Sequence, residues 1–323
     1  MTNLSDNLTA SASLYPERPA IVQDDHVLTY TALDDAVSRM VTLLRGIGLE
    51  PGDRVGLMLP NVPEFAISYY GILRAGGVVV PMHPPLKERE VEYCLRDSGA
   101  KLLLAWHEFA AEAGTGAKAA GPDVLAVAAG DWDFQAALAV TPPATDPVSR
   151  SDDDTAVILY TSGTTGTPKG AELTHGGMHR NQAVTARTLV EVGPDDVVMG
   201  YLPPFHVFGV TCGLNAAISS GATLTLIQRF DPVKALQVIE RDGVTVLESA
   251  PTMYGAMLGV PNRDSYDVSK LRCCVSGDAA LPVEVRRRFE AAFGCIILEG
   301  YGLSGSSPVT SFNHPDAVRK PVP

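Results

Sequence analysis

The chain has 323 residues, 46% of them hydrophobic, and a formal net charge of −12. That length can bury large cores and predicts more than one lobe. The acidic balance, with no Lys/Arg run offering a phosphate-backbone footprint, argues against nucleic acid and against an anionic membrane surface as partners.

In chain order, Met1-Thr-Asn-Leu-Ser-Asp6 is polar and lacks an apolar signal core. No stretch approaches the roughly 18–20 apolar residues of a spanning helix, so no transmembrane segment is expected and the cytoplasm is the expected compartment. Thr31-Ala-Leu-Asp34 resembles a helix N-terminal box, and Leu33, Val37, Met40, Val41 and Leu44 follow at helical spacing. Gly46 and Gly48 stop that helix. A strand is predicted over Arg54–Leu59, a helix over Pro63–Leu73 and a strand over Gly77–Val80. A helix over Lys87–Asp97 and a strand over Lys101–Leu104 follow. Residues 139–154 are rich in Pro, Thr, Ser and Asp and are read as a boundary between lobes over about 1–150 and 151–323. The alternation then resumes. Strands are expected at Thr155–Tyr160, Asp196–Met199, Thr223–Ile227, Val244–Leu247, Arg272–Val275 and Cys295–Leu298. Helices are expected over Asp231–Arg241 and Pro282–Phe293. Strands alternating with helices predict an α/β fold, with parallel sheets carrying helices on both faces.

The segment Thr161-Ser-Gly-Thr-Thr-Gly-Thr-Pro-Lys-Gly170 follows a buried strand. Five hydroxyls fall within residues 161–167, and Lys169 supplies a cation. Glycines let backbone N–H groups converge on anionic oxygens, so this pattern suits a polyphosphate. It is not a Walker A loop, because Pro168 and Gly170 flank the lysine. A phosphotransferase of that kind is therefore disfavoured. Gly46-Ile-Gly48-Leu-Glu-Pro-Gly52 has the wrong spacing for a dinucleotide fingerprint. Cys94, Cys212, Cys273, Cys274 and Cys295 show no metal-type spacing and are read as buried reduced thiols. His26, His83, His107, His175, His179 and His314 form no ligand pattern and are read as surface or loop residues.

Three further segments accompany the loop: Tyr201-Leu-Pro-Pro-Phe-His-Val-Phe-Gly209, Ser276-Gly-Asp-Ala-Ala-Leu-Pro282 and Glu299-Gly-Tyr-Gly-Leu-Ser304. Together, in this order, the four segments resemble the signatures of the adenylate-forming (AMP-binding) superfamily. That superfamily includes acyl-CoA synthetases, luciferases and peptide-synthetase adenylation domains. The similarity covers essentially the whole chain and is nearest to a long-chain fatty acid–CoA ligase type. It implies two parallel-sheet lobes sandwiched with helices. The C-terminal barrel and mobile domain of the family are expected to be missing, which makes the chain a truncated N-terminal AMP-binding domain.

The resemblance also implies residue roles. Thr161, Ser162, Gly163, Thr164, Thr165, Gly166, Thr167 and Lys169 would surround the pyrophosphate, with Thr161 nearest a metal. Tyr301 would pack on adenine between Gly300 and Gly302, with Glu299 upstream in the same motif. Gly277, Asp278 and Ala279 would line the other side of the base. Ser304 would contact phosphate, and His206 would stand beside the substrate carboxylate. The implied ligands are ATP, Mg²⁺, coenzyme A as co-substrate, and a carboxylic acid. Peptide-synthetase members keep an aspartate in the segment matching Phe205–Gly209, where this chain has no acid. An amino-acid substrate is thus disfavoured, and a fatty acid is preferred over an aromatic one. Gly305 stands where the family usually has a metal-binding glutamate, which predicts weakened Mg²⁺ binding. The alternative reading is a nucleotide- or acyl-binding module without turnover. Oligomeric state carries no signature.

Overall fold

The computed structural model describes residues 3–121, 125–129, 132–144, 146–161, 166–200 and 203–315. In chain order the strands are β1 (Pro19–Gln23), β2 (His26–Thr29), β3 (Arg54–Met58), β4 (Val78–Pro81), β5 (Ala100–Trp106), β6 (Leu125–Ala129) and β7 (Thr155–Thr161). They continue as β8 (Lys169–Thr174), β9 (Val197–Gly200), β10 (Thr223–Leu226), β11 (Val246–Ser249), β12 (Cys273–Ser276), β13 (Ile296–Gly302) and β14 (Val309–Phe312). The chain forms two compact units. One comprises Met1–Ala10 and Thr31–His179, the other Ser11–Tyr30 and Arg180–Pro323.

The first unit holds a six-stranded sheet in the order β6-β5-β3-β4-β7-β8. All pairs are parallel except β7 with β8. The predicted stripe Leu33, Val37, Met40, Val41 and Leu44 is fully buried. It belongs to the helix Tyr30–Gly46, and Met40 lies directly on Gly71 of the helix Pro63–Arg74, where a side chain would collide. Arg74 is buried in this contact. It pairs with Asp34 Oδ1 at 2.6 Å and donates to Ser38 Oγ at 2.9 Å. On another surface the helices Glu88–Ser98 and Ala110–Ala120 pack Val91, Leu95, Ala113 and Ala117 over Leu103 and Met82.

The stretch over residues 139–154 does not divide the units. Arg39 Nη1 donates to the carbonyls of Ala139 (2.9 Å) and Thr141 (2.8 Å), and Val148 N–H donates to Arg74 O at 2.9 Å. Those bonds strap the stretch to the helices of the first unit. Strand β7 then pairs with β4. The units therefore part after His179, and near residues 10 and 30, instead of near residue 150.

The second unit holds an eight-stranded sheet ordered β14-β13-β12-β11-β9-β10-β1-β2. Its interior pairs are parallel, and both edges close with an antiparallel strand. One face is covered by the helices Pro232–Asp242, Pro251–Leu258 and Val283–Phe293. Leu236, Ile239, Tyr254, Met257 and Phe289 pack there against Leu247, Cys274 and Ile297. The first of these helices has clear local causes. Asp231 caps it by accepting from Val233 and Lys234 N–H, Pro232 opens it, and Gly243 closes it at φ +64°.

The α/β reading and the parallel order thus hold in both units, with antiparallel strands added at sheet edges. All five cysteines are buried free thiols. His175 departs from its surface reading. It is 0% exposed, and its Nδ1 accepts from Leu4 N–H at 3.0 Å. Burial lowers its pKa to about 4. Among the described residues no helix is long and apolar enough to cross a membrane.

Candidate functional site

In the first unit, the antiparallel pairing of β7 with β8 brings Thr161 opposite Lys169. Thr161 and Lys169 are therefore the paired ends of two antiparallel strands. Ser162, Gly163, Thr164 and Thr165 lie outside the described residues. Thr161 is half-buried, while Thr167 and Lys169 are exposed. Gly166 adopts φ +89° with open space around its Cα, a backbone that glycine takes without strain. Two tyrosines fasten these strand ends. Tyr160 Oη donates to Asp97 Oδ2 at 2.7 Å, and Tyr93 Oη donates to Pro168 O at 2.7 Å. Their rings meet edge to face at 6.1 Å. The strand ends thus offer a hydroxyl and an exposed ammonium on an anchored base, which suits an anion.

In the second unit, parallel pairing sets Ser276 of β12 beside Glu299 of β13. Two glycine-containing segments, Gly277–Ala279 and Gly300–Gly302, follow from these neighbouring positions. Phe208 covers the first: a Cβ on Gly277 would lie 3.1 Å from the phenyl ring. Three of the four sequence segments are thereby brought together within this unit. A Cβ on Gly300 would lie 2.6 Å from the Phe312 ring, and one on Gly302 would strike the Pro308 carbonyl. Glycine at both positions is what allows β14 to pair so closely. Tyr301, between them, is 45% exposed. Asp278 and Ala279 are exposed, and Asp278 holds φ +69°, a left-handed backbone uncommon outside glycine. Glu299, by contrast, is 3% exposed, and its Oε1 accepts from Leu281 N–H at 3.0 Å. Its carboxylate fixes the Ser276–Pro282 turn. His206 is exposed, its ring 5.0 Å from that of Phe205. Ser304 is half-buried. At Gly305 an added Cβ meets nothing within 4 Å. Tyr201 and Leu202 lie outside the described residues.

Sequence reasoning missed Tyr93 and Glu248. Tyr93 sits on a helix far from the loop in sequence, so only the fold reveals its bond to Pro168. Glu248 is buried on β11, and its Oε2 has no partner among the described residues. Burial pushes its carboxyl up to about 8. A lone acid in the apolar run Val244–Ala250 was the available signal.

Residues 8–323 match the profile of the AMP-binding enzyme family. This chain is an AMP-binding enzyme family member. It is 35% identical to the long-chain-fatty-acid–CoA ligase of Bacillus subtilis (strain 168), across 98% of this chain and 62% of that protein. Among solved structures it is similar to the anthranilate CoA ligase AuaEII in complex with anthranoyl-AMP, with a TM-score of 0.91 and 25% identity, across 98% of this chain and 63% of that one. ATP-bound MatB from Rhodopseudomonas palustris superposes with a TM-score of 0.88 at 29% identity, across 99% of this chain and 63% of its own. This family member therefore spans somewhat less than two thirds of such relatives.

Proposed function

We propose that the chain supplies the adenylation core of an ATP-dependent acid–thiol ligase. The supporting observation is the convergence at β12 and β13 of two glycine segments, the exposed Tyr301 and the segment containing Phe208. Open α/β sheets bind ligands at the carboxyl ends of their strands. In the proposed reaction a carboxylate oxygen attacks the α-phosphorus of ATP. The bond from that phosphorus to the bridging oxygen breaks, and pyrophosphate leaves with the electron pair. A thiol of coenzyme A then displaces AMP from the acyl-adenylate. Charge moves onto pyrophosphate in the first step, so positioning and electrostatics must supply most of the acceleration.

On this reading Thr161 to Thr167 and Lys169 hold the pyrophosphate. Tyr301 packs on adenine, with Gly300 and Gly302 allowing close approach, and Gly277, Asp278 and Ala279 lie against the base. Ser304 contacts phosphate, and His206 orients the reacting carboxylate. Glu299 acts through the backbone it holds. The preferred acid is a fatty acid, in keeping with the name of the Bacillus relative and with buried, apolar Val207, Phe208, Val210 and Leu214. The compartment proposed for this reaction is the cytoplasm.

The protein's own donors for magnesium are few: Thr161 and the ATP phosphates would supply oxygens, and Gly305 offers space without one, so the metal would be held weakly. No step is therefore routed through the metal. The same observation favours a second reading, a nucleotide-binding module without turnover. Pyrophosphate exchange into ATP separates them. Exchange that depends on an added acid is the expected result. ATP binding by calorimetry, without exchange for any fatty or aromatic acid, would replace the ligase reading with the binding module.

A further inference from the structure

Asn181 belongs to the second unit and sits in the helix His175–Val184. Asparagine is a poor choice inside a helix, because its side chain competes with the backbone for hydrogen bonds. Here that side chain reaches 128 positions along the chain to Val309, the first residue of β14. Its Nδ2 donates to Val309 O at 2.9 Å, and its Oδ1 accepts from Val309 N–H at 3.2 Å. Strand β14 is the edge of its sheet among the described residues, so the outward N–H and C=O of Val309 face no neighbouring strand. An amide offers one donor and one acceptor side by side, and serves Val309 as a ladder neighbour would.

On its other side Val309 registers with Gly302, and Leu303 N–H donates to Pro308 O at 3.1 Å. Ser306 N–H donates to Leu303 O at 2.9 Å, and Ser306 Oγ lies 2.8 Å from Thr310 Oγ1. Residues 302–310 are thus one bonded piece, with Ser304 and Gly305 at its turn. At the far end of β14, Asn313 N–H donates to Glu299 O at 2.9 Å. The exposed Tyr301 stands between these two anchors, opposite Ser311. Loss of the amide clasp frees one end of β14, and small displacements of a binding group are costly. Asn181 itself lies outside all four signature segments.

We infer that Asn181 is a positioning residue for nucleotide binding: by holding β14 from outside, its amide sets where Tyr301, and with it Ser304, stands. This deepens the adenylation-core reading and rests on it. Gly300 and Gly302 let β14 approach β13, whereas Asn181 keeps the strand in place once it has arrived.

Calorimetry on the full chain with ATP tests this. Asn181→Leu removes both hydrogen bonds at similar volume and should weaken ATP binding about tenfold, while octanoate affinity changes less than about twofold. In a Tyr301→Ala background the same substitution should weaken ATP binding by about threefold or less, since the side chain it positions is gone. A merely structural residue gives the same loss in both backgrounds. Asn181→Asp still accepts from Val309 N–H but sets a negative oxygen against Val309 O. It should weaken ATP binding as Asn181→Leu does, and decides the matter if the leucine variant fails to fold. Unchanged ATP affinity in the variants, an equal loss for octanoate, or an equal loss with and without Tyr301 overturns the role of Asn181 and leaves the adenylation reading standing. If the natural chain binds no ATP, that reading falls, and the role of Asn181 falls with it.

Discussion

Glycines at Gly300 and Gly305 stand five positions apart and carry opposite expectations. Gly300→Ala puts a methyl 2.6 Å from the Phe312 ring, so β14 must shift. A loss of about 1–3 kcal/mol in urea unfolding is expected, together with weaker ATP binding. Gly305→Ala meets nothing within 4 Å and should change stability by less than about 0.5 kcal/mol. Gly305→Glu fits the same space and should raise Mg²⁺-dependent pyrophosphate exchange in a full-length ligase. No gain would remove the metal argument. Glu248 gives a pH signature. Its folded pKa, about 8, lies above the ordinary 4.5. Its contribution to stability is therefore fully present below pH 4.5 and is lost as pH rises toward 8. Against Glu248→Gln, the natural chain should lose about 1.4 kcal/mol per pH unit across that window, read from urea midpoints. His175 acts in the opposite sense, because burial lowers its pKa from 6.5 to about 4. Stability present above pH 6.5 is lost as pH falls toward 4, and His175→Gln should flatten that limb. The motif glycines were readable because tight turns and close approach favour that residue. Glu248 was not, since an acid at a strand end reads equally well as a solvent-facing residue.

The hairpin β7–β8 shows what an element adds to its residues. Sequence marks the hydroxyls and the lysine but reads them as a loop after a strand. The pairing of Thr161 with Lys169 makes Lys169 the first residue of a second strand. Glycine and glutamate within Lys169–Thr174 hide that strand, because strand propensity depends on the surface a strand packs against. Antiparallel β2 and β14 escape for the same reason, being short edge strands. Most parallel strands announce themselves as apolar runs, since both faces are buried, but β1 and β6 also go unpredicted. Tyr93→Phe tests whether the hairpin is held from outside. Losing the bond to Pro168 should cost about 0.5–1.5 kcal/mol. It should also weaken ATP binding, with acid affinity measured by calorimetry unchanged. Equal weakening of both would show general destabilisation.

Across the whole molecule, composition misplaces the division because it reports loops, while pairing decides which sheet a strand joins. Residues 11–30 illustrate this. They leave the first unit's sequence to form an edge of the second unit's sheet, where Ile21 registers with Leu224. Tyr30 Oη donates to Ala222 O at 2.7 Å, and Ser11 Oγ donates to Ile218 O at 2.6 Å. Ile21→Asp should therefore speed hydrogen exchange at Thr223–Leu226, about two hundred residues away in sequence, and leave Arg54–Met58 protected. Uniform loss of protection would contradict this division.

The same pairing bears on how the polypeptide is made. Strand β1 leaves the ribosome long before β10 exists to receive it. Until some two hundred further residues have been synthesised, β1 has only its hairpin partner β2, whereas β3, β4 and β5 can already assemble into a sheet. Translation order thus lets the middle of the chain fold first, while the β1–β2 hairpin waits with one edge open for a chaperone or for its late partner.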